Sequence, residues 1–349
     1  MRLLILTQSI DENDPILGFF CRWLSHFAKE AETISVIGLG VGQYSLPDNI
    51  KVYSLGKERR RSRLLYLWNF FKLIFRLRKE YDAVFVHMNQ EYVLLGGWLW
   101  KFWKKKIFLW RNHPGGNSLT RLAVKLSDRV FCTADKSFTA QFEKTELMPA
   151  GIDTDFFRAN SALERKDNSL MYVGRISPIK HIDIFIKALL LLDVKGEKFR
   201  ASIIGDPSPG QENYYRSLQK LGQSLVEKGT LSFQKGCRQA ELADIYSAQE
   251  ICVNATEGGS FDKTVLEAMS SECISLFSNK SFSSLLSYEQ IELLQFHPLD
   301  AEDLAGKIGT LFALPAAQKK RLRAEIRSIV IEKQSLANLS QLLMQRFRS

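Results

Sequence analysis

Residues 169–192 read SLMYVGRISPIKHIDIFIKALLLL. A short apolar run ends at Gly174, Arg175 and Lys180 follow five residues apart, and from Ile182 the apolar positions recur at helical spacing. Strand, tight glycine turn and helix make a βα unit of a parallel sheet. In such sheets ligands bind beyond the carboxyl ends of the strands, where a helix N-terminus favours anions. Two cations in that turn suit a pyrophosphate held without a metal ion. Taken alone, the pair reads equally well as two surface cations at the junction of a strand and a helix.

Outward from this unit, β-rich runs alternate with amphipathic stretches along the whole chain. Strands are expected at RLLILT (2–7), ISVIGL (34–39), KVYSL (51–55), AVFVHM (83–88), IFLWRN (107–112) and RVFCTA (129–134). The second half restarts the pattern, with strands at 169–175, 199–206, 231–236 and 251–255 and helices at 181–192, 213–228 and 240–249. This alternation predicts an α/β protein of two Rossmann-like domains, each a parallel sheet covered by helices. A length of 349 residues fits two domains. The polar stretch RANSALERKDNS (158–169) has the composition of a linker, so the domains are expected at 1–160 and 161–334. A last helix in 335–349 either completes the second domain or crosses back to the first.

The composition, 45% hydrophobic and 25% charged, is globular. Five single cysteines, Cys21, Cys132, Cys237, Cys252 and Cys273, include no C-x-x-C pair. They point to a reduced intracellular protein without a cysteine zinc site. The start MRLLILTQ, followed by acidic DENDP, lacks the order of a secretory leader, so a cytoplasmic location is expected.

The net charge of +10 is uneven: residues 1–150 carry 23 Lys and Arg against 14 Asp and Glu, and residues 151–349 carry 25 against 24. The excess gathers in KERRRSRLLYLWNFFKLIFRLRK (57–79) and WLWKFWKKK (98–106), where cations alternate with Trp, Tyr, Phe and Leu. Such stretches suit an anionic membrane surface. Attachment would be peripheral, because no apolar run reaches the roughly 20 residues of a spanning helix. The competing reading is an amphipathic helix packed on the protein's own sheet. Nucleic acid is not expected as a partner, since no stacking sheet or helix-turn-helix signature accompanies the charge.

Further motifs follow one another in order: MPAGIDTDFF (148–157), YVGRISPIKHIDIFIKAL (172–189), SIIGD (202–206), a strand and glycine around Phe233 and Gly236, and GSFDKTVLEAMSSECIS (259–275). Together they resemble the retaining GT-B glycosyltransferases of the glycosyltransferase family 4 type, over nearly the whole second half. The first half resembles them more loosely, through Gly18, the FVHMN strand end and WRNHPG. The resemblance implies the GT-B architecture, two Rossmann-like domains facing each other across a cleft. It also implies transfer of a glycosyl group from a nucleoside diphosphate sugar, UDP- or GDP-linked, to an acceptor hydroxyl with retention of configuration and without a cofactor or metal.

By the same resemblance Arg175 and Lys180 contact the donor diphosphate and stabilise the leaving nucleotide, and Glu267 binds the ribose hydroxyls. The loop through Ser260, Phe261, Asp262, Lys263 and Thr264 brings backbone amides to the phosphates, and Gly18 and Gly174 are turns of the donor site. Gly236 and Cys237 fall where the base is held. One departure stands out. The family's second glutamate, eight positions before Glu267, is here Gly259, so Glu257 or Asp262 would take over hydrogen bonding to the sugar.

His87 and His113 stand at strand ends in the first half. His113 matches the family's cleft histidine and is expected at the transferred sugar, whereas His87 is either a sugar contact or a satisfied structural histidine. Neither has metal-motif spacing. No G-x-S-x-G elbow or GxxxxGK[ST] loop occurs, and GLGVGQ (38–43) precedes a proline-containing loop rather than a helix, which excludes a dinucleotide fingerprint. The acceptor is expected to be a glycan or lipid-linked precursor of the envelope. Two rivals stay open: a nucleotide-sugar epimerase or sugar-phosphate synthase on the same fold, and a non-catalytic membrane-associated protein that binds sugar nucleotides.

Overall fold

The computed structural model describes residues 1–14, 16–60, 62–258 and 261–349. It divides into two units, Met1–Gly151 with Leu336–Ser349, and Ile152–Ser335. The chain changes unit at 151/152 rather than near 160, because the polar stretch that reads as a linker is tied into the second unit. The Ser247 hydroxyl donates to the Arg158 carbonyl at 3.1 Å and accepts from the Asn160 amide at 3.0 Å, and Arg165 donates to the Gln249 carbonyl at 2.5 Å.

In the first unit β1 (Arg2–Ile10), β2 (Thr33–Val41), β3 (Ile50–Ser54), β4 (Ala83–His87), β5 (Lys106–Trp110), β6 (Arg129–Cys132) and β7 (Thr145–Leu147) form a parallel sheet in the order β3-β2-β1-β4-β5-β6-β7. The strand β7 was not expected from the sequence; three residues, TEL, are too short and polar to show a pattern. Side chains of a strand alternate between faces, and here both faces are covered. Leu3, Ile5, Phe85, Phe108 and Phe131 face helices Phe19–Ala28 and Leu336–Arg348. Leu4, Leu6, Val84, Val86 and Leu109 face helices Arg63–Leu77, Gln90–Phe102 and Ser118–Leu126.

The terminal helix is bound to this sheet by Phe347, whose ring lies 5.1 Å from Phe85, 4.8 Å from Phe108 and 6.2 Å from Phe131. Gly151 sits at the exit from the unit with φ 70°, and its carbonyl accepts from the Trp23 indole at 3.1 Å. A Cβ there would meet Leu339 at 2.5 Å and Trp23 at 2.6 Å, so only glycine fits.

In the second unit β8 (Lys166–Val173), β9 (Arg200–Ile204), β10 (Leu231–Gln234), β11 (Gln249–Asn254) and β12 (Ile274–Phe277) form a parallel sheet in the order β10-β9-β8-β11-β12. The single helix expected over 213–228 is two, Glu212–Leu221 and Gln223–Glu227, divided at Gly222, a poor helix former. The strand order reverses between β8 and β11, which makes their carboxyl ends the topological switch point where open α/β sheets bind ligands.

Phe347→Ala is expected to destabilise the first unit by about 3–5 kcal/mol, the cost of emptying an aromatic site in a close-packed core. Urea denaturation measures this, and an unchanged midpoint would contradict the packing role given to the last helix.

Candidate functional site

The turn after β8 is built by glycines and a buried tyrosine. Gly174 adopts φ 144° and its amide donates to the Ile204 carbonyl at 3.0 Å, while at the end of β9 a Cβ on Gly205 would fall 1.9 Å from the Gly174 carbonyl. Two strand ends are thus pressed together in a way that excludes side chains. The Tyr172 hydroxyl donates to the Arg175 carbonyl at 3.1 Å, and burial pushes this phenol well above its usual range, so it stays a neutral donor. Arg175 itself is exposed. A short 3-10 turn, Pro178–Lys180, then brings the chain to His181 in the left-handed region at φ 47°, where helix Ile182–Val194 begins.

Lys180 and Asp262 are 82 positions apart in sequence and meet at 2.5 Å. Their side chains are only 21% and 15% exposed. Asp262 is the N-cap of helix Lys263–Ser270: one carboxylate oxygen accepts from the Thr264 amide at 3.3 Å and hydroxyl at 3.0 Å, and the other accepts from Lys180 and from the Asn254 amide group at 3.0 Å. Burial alone would push the Asp262 carboxyl up. The Lys180 ammonium and the three donors outweigh it and hold the carboxyl below its usual range. Asn254 ends β11, so this cluster straddles the switch point between β8 and β11.

Next to it His181 Nε2 lies 3.0 Å from the Glu257 carboxylate, which fixes Glu257 beside the same turn. Glu267 is buried in helix Lys263–Ser270, and its charge adds to the burial that pushes the Tyr246 phenol well up. At the end of β10, Gly236 lies so close to Asp206 that a Cβ would be 2.6 Å from its carboxylate. Cys237 is half-buried, and burial with the nearby Glu241 pushes its thiol up, so it is no thiolate nucleophile. Phe261 packs its ring 5.3 Å from Phe282. Gly259 and Ser260 lie outside the described residues.

In the first unit, Gly18 caps helix Phe19–Ala28 with ordinary backbone angles and is buried. A Cβ there would come within 2.7 Å of the Asp14 and Glu12 carbonyls. His87 is buried rather than presented at an open strand end: its ring stacks 4.0 Å over Phe20 and Nδ1 lies 3.2 Å from the Thr7 hydroxyl. That is the satisfied structural histidine the sequence also allowed. His113 is exposed in the loop after β5, where the Gly115 amide donates to Nδ1 at 2.9 Å. The Gly115 carbonyl lies 3.0 Å from the same nitrogen, so both polar groups of Gly115 hold the ring in place.

Sequence reasoning missed Tyr172, His181, Asn254 and Asp206 as parts of this site. Tyr172, Asn254 and Asp206 stand at or within two residues of a strand's carboxyl end and His181 caps the helix that follows β8, which are the signals that could have found them. Among the described residues, no group of three His, Cys, Asp or Glu is arranged to hold a metal ion.

Residues 167–313 match the protein family Glycosyl transferases group 1. The D-inositol 3-phosphate glycosyltransferase of Frankia alni is 29% identical over 161 residues, which are 43% of this chain and 39% of that protein. The chain therefore spans about two fifths of the length of this curated relative. Among solved structures, Anabaena Alr3699/HepE in complex with UDP and glucose aligns over 100% of both chains with a TM-score of 0.77 at 17% identity. Sucrose-phosphate synthase from Thermosynechococcus elongatus aligns over 100% of this chain and 98% of its own, with a TM-score of 0.74 at 16% identity. At those identities the likeness shows the fold, the GT-B fold of two Rossmann-like domains.

Asp262→Asn is expected to lower the stability of the second unit by about 1–3 kcal/mol at neutral pH, since it strips the partner from a half-buried ammonium. Folding holds this carboxyl below its unfolded value. Its contribution is therefore complete above the unfolded pKa and disappears as pH falls through the folded one. Denaturation of both proteins from about pH 7 to about pH 2 should show the difference shrinking on the acid side; a gap independent of pH would contradict the assignment.

Proposed function

We propose that this chain is a glycosyltransferase that moves a sugar from a nucleoside diphosphate sugar, UDP- or GDP-linked, to an acceptor hydroxyl with retention of configuration. The observation that carries this reading is the cation pair Arg175 and Lys180, on the turn after the central strand of the unit that matches the glycosyl transferases group 1 family. Departure of the nucleoside diphosphate builds negative charge on phosphate oxygens while the sugar becomes oxocarbenium-like. Fixed positive charge beside those oxygens lowers the barrier without rearranging at the moment of reaction. Arg175 is exposed and available to a ligand. Lys180 is pre-aimed by Asp262, with which an incoming diphosphate would share the ammonium.

The bond from the anomeric carbon to the phosphate oxygen breaks, the bond to the acceptor oxygen forms on the same face, and the acceptor's proton passes to the leaving phosphate. No separate strong base is required by this scheme. In it Glu267 takes the ribose hydroxyls, Gly236 and Cys237 flank the base, and backbone of the 259–264 loop takes phosphate. Glu257, held by His181, hydrogen-bonds the sugar in place of the glutamate that Gly259 replaces. Gly18 and His113 of the first unit retain their proposed roles toward the diphosphate and the sugar. HepE is solved in complex with UDP and glucose, and the Frankia protein is a D-inositol 3-phosphate glycosyltransferase; both support an activated-sugar donor and a hydroxyl acceptor. The acceptor proposed for this chain is a glycan or lipid-linked envelope precursor.

A thermal-shift screen of UDP- and GDP-sugars with the full chain tests this, since a ligand specific to the folded state raises its melting temperature. One of them should stabilise the wild type. Arg175→Ala and Lys180→Ala should each weaken its binding roughly 10- to 100-fold, the loss of a charge-assisted contact of about 1.5–3 kcal/mol. Indifference of donor binding to both substitutions would overturn the assignment.

A further inference from the structure

The first sheet is covered on its two faces by helices of opposite character. On one face, helices Phe19–Ala28 and Leu336–Arg348 turn apolar residues to the sheet and leave no large hydrophobic residue exposed. On the other, helices Arg63–Leu77 and Gln90–Phe102 bury one apolar stripe and present a second one outward. Leu64 is 78% exposed, Trp68 66%, Trp98 64% and Phe102 81%, and Phe75 and Leu95 are also exposed. Residues 64, 68 and 75, and 95, 98 and 102, recur at helical spacing, so each set is one stripe. The helices lie side by side: Phe70 packs 5.7 Å from Tyr92 and 6.1 Å from Trp100, and Phe75 packs edge-on to Trp103 at 5.1 Å. The two outward stripes therefore belong to a single surface.

Cations accompany this surface. Residues 57–80 contain nine Lys and Arg and only two acids, and residues 90–106 contain four Lys and one acid. Of those acids, Glu58 is already engaged by the Ser54 hydroxyl at 2.8 Å and by Arg59 at 3.6 Å. Arg63, Lys72, Lys79, Lys101 and Lys104 are exposed. No described helix is long and apolar enough to cross a membrane.

We propose that the outer face of helices Arg63–Leu77 and Gln90–Phe102 docks onto an anionic lipid bilayer. Trp68, Trp98 and Phe102 enter the interfacial layer, and the surrounding lysines and arginines meet lipid phosphates. Aromatic residues with an apolar body favour that layer, and basic side chains near an anionic leaflet add electrostatic attraction that salt weakens. A protein partner would need a complementary apolar and acidic patch; a bilayer of acidic lipid supplies both chemistries at once. The surface goes beyond the donor site, and it would place an acceptor carried on a lipid beside the enzyme.

The test is cosedimentation of the full chain with phosphatidylcholine vesicles and with vesicles of equal parts phosphatidylcholine and phosphatidylglycerol. The wild type should pellet with the anionic vesicles, less so in high salt. The triple variant Trp68→Ser, Trp98→Ser, Phe102→Ser should bind them roughly tenfold or more weakly, as expected when exposed aromatics no longer gain from burial. Its melting temperature should be unchanged, because these side chains are outside the core, and its stabilisation by a donor nucleotide should be retained. That retention separates this proposal from the donor-site reading. Three results would overturn it: no pelleting of the wild type with anionic vesicles, equal pelleting of the triple variant, or a wild-type dimer that the triple substitution dissociates without vesicle binding.

Discussion

Parallel strands impose one geometric constraint from which the rest follows. Each strand must return by a crossover helix, so every carboxyl end lies along one edge of its sheet, and a sheet begun in the middle must reverse its order once. In the second unit the middle strand is β8 and the reversal lies between β8 and β11. The loops that leave those two strands cannot pack against a covering helix at that edge, so they are free to carry polar groups. Arg175, Lys180, Glu257 and Asp262 all lie on them, and Asn254 is the last residue of β11. The chemistry sits where topology leaves room for it.

Within that gap the decisive interaction is electrostatic. A helix N-terminus and a lysine both attract negative charge, and here Asp262 satisfies the two together as an N-cap and as the partner of Lys180. The arrangement keeps an ammonium oriented in a half-buried place where, unpaired, it would be costly. Under the proposed function, a phosphate ligand would meet a site with its charge already arranged, with Arg175 exposed and Lys180 shared. The tyrosine beneath the turn serves the same end, fixing the Arg175 main chain through a neutral hydroxyl.

Much of this was legible in the sequence, for a physical reason. Strands buried on both faces read as unbroken apolar runs, and the glycines that end them mark backbone conformations or close approaches that other residues cannot take, as at Gly174 and Gly205. The strands at 2–7, 83–88 and 251–255 were therefore recognisable at once. The three-residue β7 and the break at Gly222 were not, being too short or too local to disturb a periodic pattern. The domain crossing was misplaced because polarity between 158 and 169 suggested a linker, while hydrogen bonds to Ser247 and Gln249 bind that stretch to the second unit. His87 was correctly seen at a strand end, but the helix that covers it comes from elsewhere in the chain. The pairing of Lys180 with Asp262 could not be read at all, since nothing in a sequence announces a contact across 82 positions. The basic aromatic stretches were ambiguous for a related reason: one stripe of each helix packs on the sheet and another faces out, and a sequence pattern does not separate the two.

The central claim is that the turn after β8 and the cap of helix Lys263–Ser270 recognise a diphosphate. Calorimetric titration of the full chain with matched nucleoside diphosphates and monophosphates, in the presence of a chelator, tests it most directly. The account predicts that for one base the diphosphate binds more tightly than the monophosphate by roughly tenfold or more, the worth of one added charge-assisted contact, and that the chelator makes no difference. Equal affinity for the two, or binding that vanishes on chelation, would contradict it.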